Sequence, residues 1–260
     1  MNKIFTESTL KKKLQNKNVS IGSWITLAHP AIAEIMAKAS YEWLVVDLEH
    51  SVITIREAEE LIRVIELSGV TPLVRLTSNN PDQIKRVMDA GSHGIIIPMV
   101  NTADQAEQAV NAVRYPVRGS RGFGLARAQA YGNKFQEYLE WLSRDSIIIV
   151  QIEHIDAIDN LESIFSVDGI DGYIIGPYDL SGSMGIPGQL DHQDLQKIMI
   201  KINEIGKKMN MAGGIHVVEP DISKLESAID MGHTFIAYSV DIRMLDHSCR
   251  NGMERILEKI

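Results

Sequence analysis

"WLVVDLEHS", Trp43 to Ser51, decides the fold. Four apolar residues run straight into Asp47, Glu49 and His50. A continuous apolar run suits a strand covered on both faces, as in a parallel sheet. Three ionisable groups at its end are costly unless they are paired, solvated or at work. Seven further runs have the same Ile/Val-rich character: "IGSWITL" (21–27), "TPLVRL" (71–76), "GIIIPMV" (94–100), "IIIVQIE" (147–153), "GYIIGP" (172–177), "AGGIHVV" (212–218) and "TFIAYSV" (234–240).

The segments between them read as helices. "IREAEELIRVIELSG" puts Ala58, Leu61, Ile62 and Ile65 on one face and stops at Gly69. "PDQIKRVMDAG" opens with proline and closes with glycine. "TADQAEQAVNAVR" starts at Thr102, a good N-cap. Eight strand–helix units in a chain of 260 residues predict an α/β fold, a (β/α)8 TIM barrel. A doubly wound open sheet is the alternative, but the turn after its first strand should be glycine-rich. Here that turn is "TLAHPAIAEI". No linker or repeat divides the chain, so residues 1–260 read as one domain. It carries an N-terminal helical segment and a long insert at about 114–145, whose first part is Arg- and Gly-rich. Such inserts are often lids or subunit contacts.

Composition narrows the function. The net charge of -8 argues against nucleic acid as a partner, which needs a basic surface. Cys249 is the single cysteine, so disulfides and cysteine-based zinc or iron–sulfur sites are not expected. The basic, polar N-terminus "MNKIFTESTLKKKLQNKN" lacks the apolar centre of a signal peptide. No run reaches the roughly 18 apolar residues that span a membrane. A soluble cytoplasmic protein is the expectation.

In a barrel, chemistry gathers at the C-terminal ends of the strands. Those ends carry Asp47, Glu49, His50, Arg75, Gln151, Glu153, Asp179, Ser181, His216, Ser239 and Asp241, with His29 and His154 just beyond. Glu153 and Asp179 repel one another unless a cation lies between them, and an all-oxygen set points to Mg²⁺ or Mn²⁺. The alternative is a carboxylate paired with arginine. Arg75 interrupts an apolar run, so it needs an anion: Glu49, another internal carboxylate, or a substrate carboxylate or oxyanion. None of the fourteen lysines falls in a strand run, which argues against a Schiff base and leaves carbon–carbon chemistry to a metal. His50 is either a general base, with Asp47 three residues earlier holding its ring, or a satisfied structural histidine. His93, His154, His192 and His233 read as peripheral.

From about Gly22 to Met244 the chain resembles the HpcH/HpaI aldolases, metal-dependent class II enzymes that use pyruvate. The resemblance is carried by "GSWITLAHPAIAEIMAKASYEWLVVDLEHS", "PLVRLTSNNPDQIKRVMDAG", "GIIIPMVNTADQAEQAVNAVRYPVRGSRGFG", "VQIEHIDAIDNLESIFSVDGIDGYIIGPYDLSGSMG" and the late "SVD", in that order. It implies a barrel that assembles as a hexamer, a divalent metal (Mg²⁺ or Mn²⁺, with Co²⁺ an option) and small-molecule substrates. The reaction implied is reversible retro-aldol cleavage of a 4-hydroxy-2-oxo acid, such as a 2-keto-3-deoxy acid, to pyruvate and an aldehyde through a metal-stabilised enolate. Asp47 and His50 match the acid/base pair, and Arg75 matches the arginine facing the enolate. Gln151 matches a substrate contact, Glu153 and Asp179 the metal ligands. The backbone from Gly176 and Pro177 through Tyr178 to Asp179 matches the carboxylate cradle. Arg121 matches a loop arginine near the pocket.

The chain departs from the family pattern at Leu48, at Tyr178 where a small residue is usual, at His216 where an apolar one is expected, and at "YSVD". Tyr178 and His216 put the aldehyde specificity in question and suggest a polyhydroxylated or charged acceptor. Within "DLEH", His50 is the expected base with Asp47 orienting it, and Glu49 a partner to Arg75 or to a metal-bound water. Two alternatives remain: a synthase of the same family, citrate-synthase-like or an acyl-CoA ester lyase, and a non-catalytic barrel.

Overall fold

The computed structural model describes residues 7–258 and Ile260. Met1–Thr6 and Lys259, and with them the start of the basic N-terminal stretch, lie outside the described residues. Eight parallel strands close in sequence order: β1 (Ser20–Ile25), β2 (Trp43–Asp47), β3 (Thr71–Arg75), β4 (Gly94–Ile97), β5 (Ile147–Ile152), β6 (Gly172–Ile175), β7 (Ala212–Val217) and β8 (Phe235–Val240). β8 pairs back onto β1, completing the barrel. Among the described residues, no helix is long and apolar enough to cross a membrane.

Strand alternation sorts the side chains into two cores. Val45, Leu73, Ile96, Ile149 and Ile174 fill the interior with Trp24, Trp43 and Phe235. Leu44, Val46, Val74, Ile95, Ile148 and Ile175 pack outward against the helices. The helix at Ile55–Leu67 buries Ala58, Leu61, Ile62 and Ile65, the face its spacing predicts, behind a Thr54–Glu57 capping box. Asn80 caps the helix Pro81–Asp89, and Thr102 caps Ala103–Val113.

The floor of the barrel is sealed from inside. The helix Thr9–Asn16 adds Leu10 and Leu14 to the interior cluster. It is tied down by Lys11, whose ammonium lies 2.5 Å from Asp171 and donates to the Ser146 carbonyl at 2.7 Å. Gly22 makes room for Trp43, which stacks on Phe235 at 4.0 Å. A Cβ at Gly22 would lie 2.0 Å from the Trp43 ring, so Gly22→Ala must break this layer.

Most strands stop one to three residues short of the apolar runs. The reason is local. At β4 the run continues through Pro98 and Met99, but Pro98 has no N–H for the ladder and Met99 takes φ 56°. At β2 the chain bends away after Asp47. In the insert the helix is Phe135–Asp145, preceded by turns and one 3-10 turn at Arg127–Gln129.

Candidate active site

Period-two alternation turns Asp47, Arg75, Gln151 and Glu153 to the inside, two residues beyond Val45, Leu73, Ile149 and Gln151 in turn. They form the top layer of the interior, where apolar filling gives way to charge. Asp47 and Arg75 are register partners across β2 and β3. Arg75 Nε donates to Asp47 Oδ1 at 2.8 Å and Nη2 to Oδ2 at 2.6 Å, a bidentate pair. Arg75 Nη1 lies 3.2 Å from Glu49 Oε2. The guanidinium rests on the Trp24 ring, 4.4 Å from its centroid. Burial works against the charge on Arg75, but the bonds and charges of Asp47 and Glu49 outweigh it and raise its pKa.

Asp47 does not hold the His50 ring. Once the strand ends, the backbone N–H groups of Glu49 and His50 turn back onto Asp47 Oδ1 at 3.0 and 3.4 Å. Arg75 takes the rest of the carboxylate, so the ring finds no place on it. His50 projects into the cleft with its side chain 64% exposed, and its Nε2 lies 3.9 Å from Glu49 Oε2. Glu49 therefore sits between Arg75 and His50.

On the opposite wall, Glu153 is buried at the end of β5. Its Oε1 accepts the Met99 N–H at 2.7 Å, and its Oε2 accepts a short bond from Gln151 Nε2. Gln151 Oε1 is buried with no hydrogen-bond partner among the described residues. Gly176 faces this pair. A Cβ there would lie 2.7 Å from Glu153 Oε2 and 3.2 Å from Gln151 Nε2. Burial pushes Glu153 up to about 7, against the bonds from Met99 and Gln151, and the charges of Glu49 and Asp179 add to the rise. Burial likewise pushes Glu49 up to about 7, against Arg75, with Asp47 and Asp179 adding to it. The carboxylates around this cleft thus outnumber their cations.

A cleft of about 360 Å³ joins these walls. Trp24, His50, Arg75, Gln151, Gly176, Pro177, Tyr178, Asp179 and His216 line it. Asp47 and Glu153 stand behind that lining, buried at 2% exposure each. Pro177 to Ser183 form a short helix, whose Ser181 hydroxyl donates to the Tyr178 carbonyl at 2.6 Å and accepts from the Gly188 N–H at 2.9 Å. Asp241 is structural: its carboxylate accepts the Thr26 and Leu27 N–H groups at 2.9 and 2.8 Å, tying β1 to the start of the last helix. His29 and His154 cap helical turns.

Arg121 is not near this cleft in its own barrel. It pairs with Asp89, the last residue of a helix that runs back to the N-terminal ends of the strands. Its Nη1 donates to the Tyr138 hydroxyl at 3.0 Å, and its guanidinium lies 4.7 Å from the Tyr115 ring centre. Two residues with a part in the site escaped sequence reasoning, Trp24 beneath Arg75 and Met99 bonded to Glu153. Strand parity with the inward-facing interior could have marked Trp24. Nothing local marks Met99, because its backbone alone is used.

The comparisons with known proteins agree with the fold. A family model, HpcH/HpaI aldolase/citrate lyase, matches residues 20–248. A hydroxypyruvate/pyruvate aldolase of Roseobacter denitrificans is 35% identical over 240 residues, covering 92% of this chain and 93% of the relative. A 2-keto-3-deoxy-L-rhamnonate aldolase of Escherichia coli is 36% identical over 243 residues, covering 93% and 90%. The crystal structure of an HpcH/HpaI aldolase/citrate lyase family protein from Burkholderia cenocepacia superposes with a TM-score of 0.91 at 30% identity, covering 96% of this chain and 99% of that one. With aldolase relatives along almost its whole length, the protein is a carbon–carbon lyase, and the chain belongs to the HpcH/HpaI aldolase/citrate lyase family.

Proposed function

We propose that the protein is a class II aldolase that reversibly cleaves a 4-hydroxy-2-oxo acid to pyruvate and an aldehyde. One observation carries the reading. His50, Arg75, Gln151 and the backbone of Gly176–Asp179 open onto one cleft, beside carboxylates that burial leaves short of positive charge. The names of the relatives, which include pyruvate and 2-keto-3-deoxy acid aldolases, support the same substrate class.

The residues fit a divalent cation. The charge of Asp179 adds to the cost of ionising Glu153, Gln151 Oε1 is buried with no hydrogen-bond partner among the described residues, and Gly176 keeps the adjoining space clear. Among the described residues, no group of three or more His, Cys, Asp or Glu forms a complete cage. The remaining positions would fall to water and substrate oxygens, as hard cations such as Mg²⁺ or Mn²⁺ accept, with Co²⁺ a further candidate. When bound, the cation polarises the 2-oxo group and offsets charge on the developing enolate.

The chain supplies the rest. His50 removes the proton of the 4-hydroxyl, with Glu49 as the carboxylate nearest its ring. The C3–C4 bond breaks, the aldehyde departs and the electron pair becomes pyruvate enolate. Arg75 stabilises that charge, and Asp47 keeps the guanidinium from turning away. Gln151 and the backbone of Gly176–Asp179 orient the acid, and protonation at C3 gives pyruvate. The protein works as a cytoplasmic homo-oligomer, a hexamer by resemblance. The exposed Val117, Phe123, Leu125 and Tyr131 of the insert supply apolar surface for such contacts.

Pyruvate release from a 4-hydroxy-2-oxo acid tests the reading. Thorough EDTA treatment should lower the rate by about 10³ or more, and added Mn²⁺ should restore it. Activity that survives chelation sinks the metal role. Turnover that requires an acyl-CoA donor selects the synthase alternative instead.

A further inference from the structure

The proposed function leaves the aldehyde unnamed, and an assignment of that aldehyde rests on the aldolase reading. Arg75, Gln151 and Gly176–Asp179 hold the pyruvate side of the cleft. The remaining lining is Trp24 on β1, His50, Ile174 and Ile175, His216 near the end of β7 and Val218, with the Tyr178 side chain at the rim. Trp24 Nε1 is buried with no hydrogen-bond partner among the described residues, and the His50 side chain and Tyr178 are 64% and 54% exposed. An indole N–H only donates, so His216 is the inward side chain on the side left for the aldehyde that can accept a hydrogen bond.

Its protonation is set by geometry. His216 Nε2 lies 3.0 Å from the carbonyl oxygen of Ser239. A carbonyl only accepts, so Nε2 carries the proton. That carbonyl cannot turn away easily. Ser239 is buried at φ 56°, a left-handed conformation that disfavours side chains other than glycine. Two bonds hold it there: its hydroxyl donates to the Val218 carbonyl at 2.9 Å, and its own carbonyl accepts the Ser23 hydroxyl at 3.1 Å. The Trp24 ring, 5.3 Å away between centroids, fixes the imidazole plane. Burial pushes His216 down to about 4, and the nearby Arg75 charge adds to the fall, so the ring is neutral. Nδ1 keeps its lone pair, because the bond to Ser239 is the one that the ring makes among the described residues.

We propose that His216 Nδ1 accepts a hydrogen bond from a hydroxyl on the aldehyde, so that the enzyme selects hydroxyaldehydes. A hydroxyl can donate to this atom. An alkyl chain leaves it unsatisfied, and a carboxylate sets acceptor against acceptor. The recognised hydroxyl is unchanged by the reaction. In the addition direction C3 of pyruvate enolate bonds to the aldehyde carbon, and the aldehyde oxygen takes a proton to become the 4-hydroxyl.

The test is the ratio of kcat/KM for glyceraldehyde over propanal, with pyruvate and Mn²⁺ fixed, in wild type, His216→Leu and His216→Gln. A ratio within one preparation cancels any loss common to both aldehydes. Wild type should prefer glyceraldehyde by about tenfold or more, the size of one good hydrogen bond. His216→Leu should bring the ratio near one. His216→Gln should keep most of it, because its amide can donate to Ser239 and still offer an oxygen. A wild type without preference, or a leucine variant within twofold of the wild-type ratio, overturns the inference. Exchange of pyruvate C3 protons with D₂O, followed by NMR in wild type, separates the two levels. Exchange without addition to either aldehyde removes this inference alone. Absence of both removes the aldolase reading and this inference with it.

Discussion

Two arginines of the barrel, Arg121 buried and Arg75 half-buried, have nearly the same surroundings and different consequences. Arg121, at the N-terminal end of the strands, pairs with Asp89, donates to Tyr138 and lies over Tyr115. Arg75, at the C-terminal end, pairs with Asp47 and lies over Trp24. The difference is access and charge balance. The Arg121 side chain is sealed at 0% exposure and faces one carboxylate. The Arg75 side chain is 13% exposed, lines the cleft and faces Asp47 and Glu49, with Glu153 also acting on it. A one-to-one buried pair is a structural tie, whereas an arginine that faces more anions than it can neutralise marks a place where further cations or reacting anions belong.

Arg75→Ala should lower kcat/KM for retro-aldol cleavage by about 10² to 10³, the range for losing one charge-stabilising donor. A tenfold or smaller loss would demote Arg75 to the structural class of Arg121. Arg121→Met should act on stability. It strips Asp89 of its partner, but the Asp89 side chain is 25% exposed, so a cost of about 2 kcal/mol is expected, below the roughly 3–5 kcal/mol of a fully buried broken pair. For a chain of this size that is a Tm fall of about 4–8 °C by calorimetry. An unchanged Tm would remove the structural reading.

Glu49 and Glu153 have folded-state pKa values near 7, above the ordinary 4.5. Between those values the folded protein binds more protons than the unfolded chain, so stability falls as pH rises from about 4.5 to 7. EDTA-treated protein should therefore be more stable, as regards these two groups, at pH 5 than at pH 8. Added Mn²⁺ should raise Tm more at pH 8 than at pH 5, because cation binding competes with the protons. Equal Mn²⁺ shifts at both pH values would count against a cation among these carboxylates.

Much of this was legible in the chain. The eight apolar runs and the cap residues between them announce a barrel, and all eight strands form where the runs lie. Their polar ends mark the mouth, because period two carries Asp47, Arg75, Gln151 and Glu153 inward beyond apolar residues that already face in. The identity of the partners was not legible. "DLEH" suggests a bond between Asp47 and the His50 ring, yet the bend after Asp47 sends backbone N–H groups to that carboxylate and register gives the rest to Arg75. Arg121 resembles a pocket residue by motif, yet its bond to Asp89 holds it at the floor.

The alternation of strand and helix and the inward direction of the site residues are written along the chain. Those properties follow from local backbone geometry and the nearest neighbours along the chain. The closed barrel settles which charges meet, that Trp24 underlies Arg75, that Met99 offers its N–H to Glu153, and that Ser239 sets the proton on His216. Those contacts join residues 23 to 54 positions apart, and they exist only once barrel closure and strand register bring them within bonding distance.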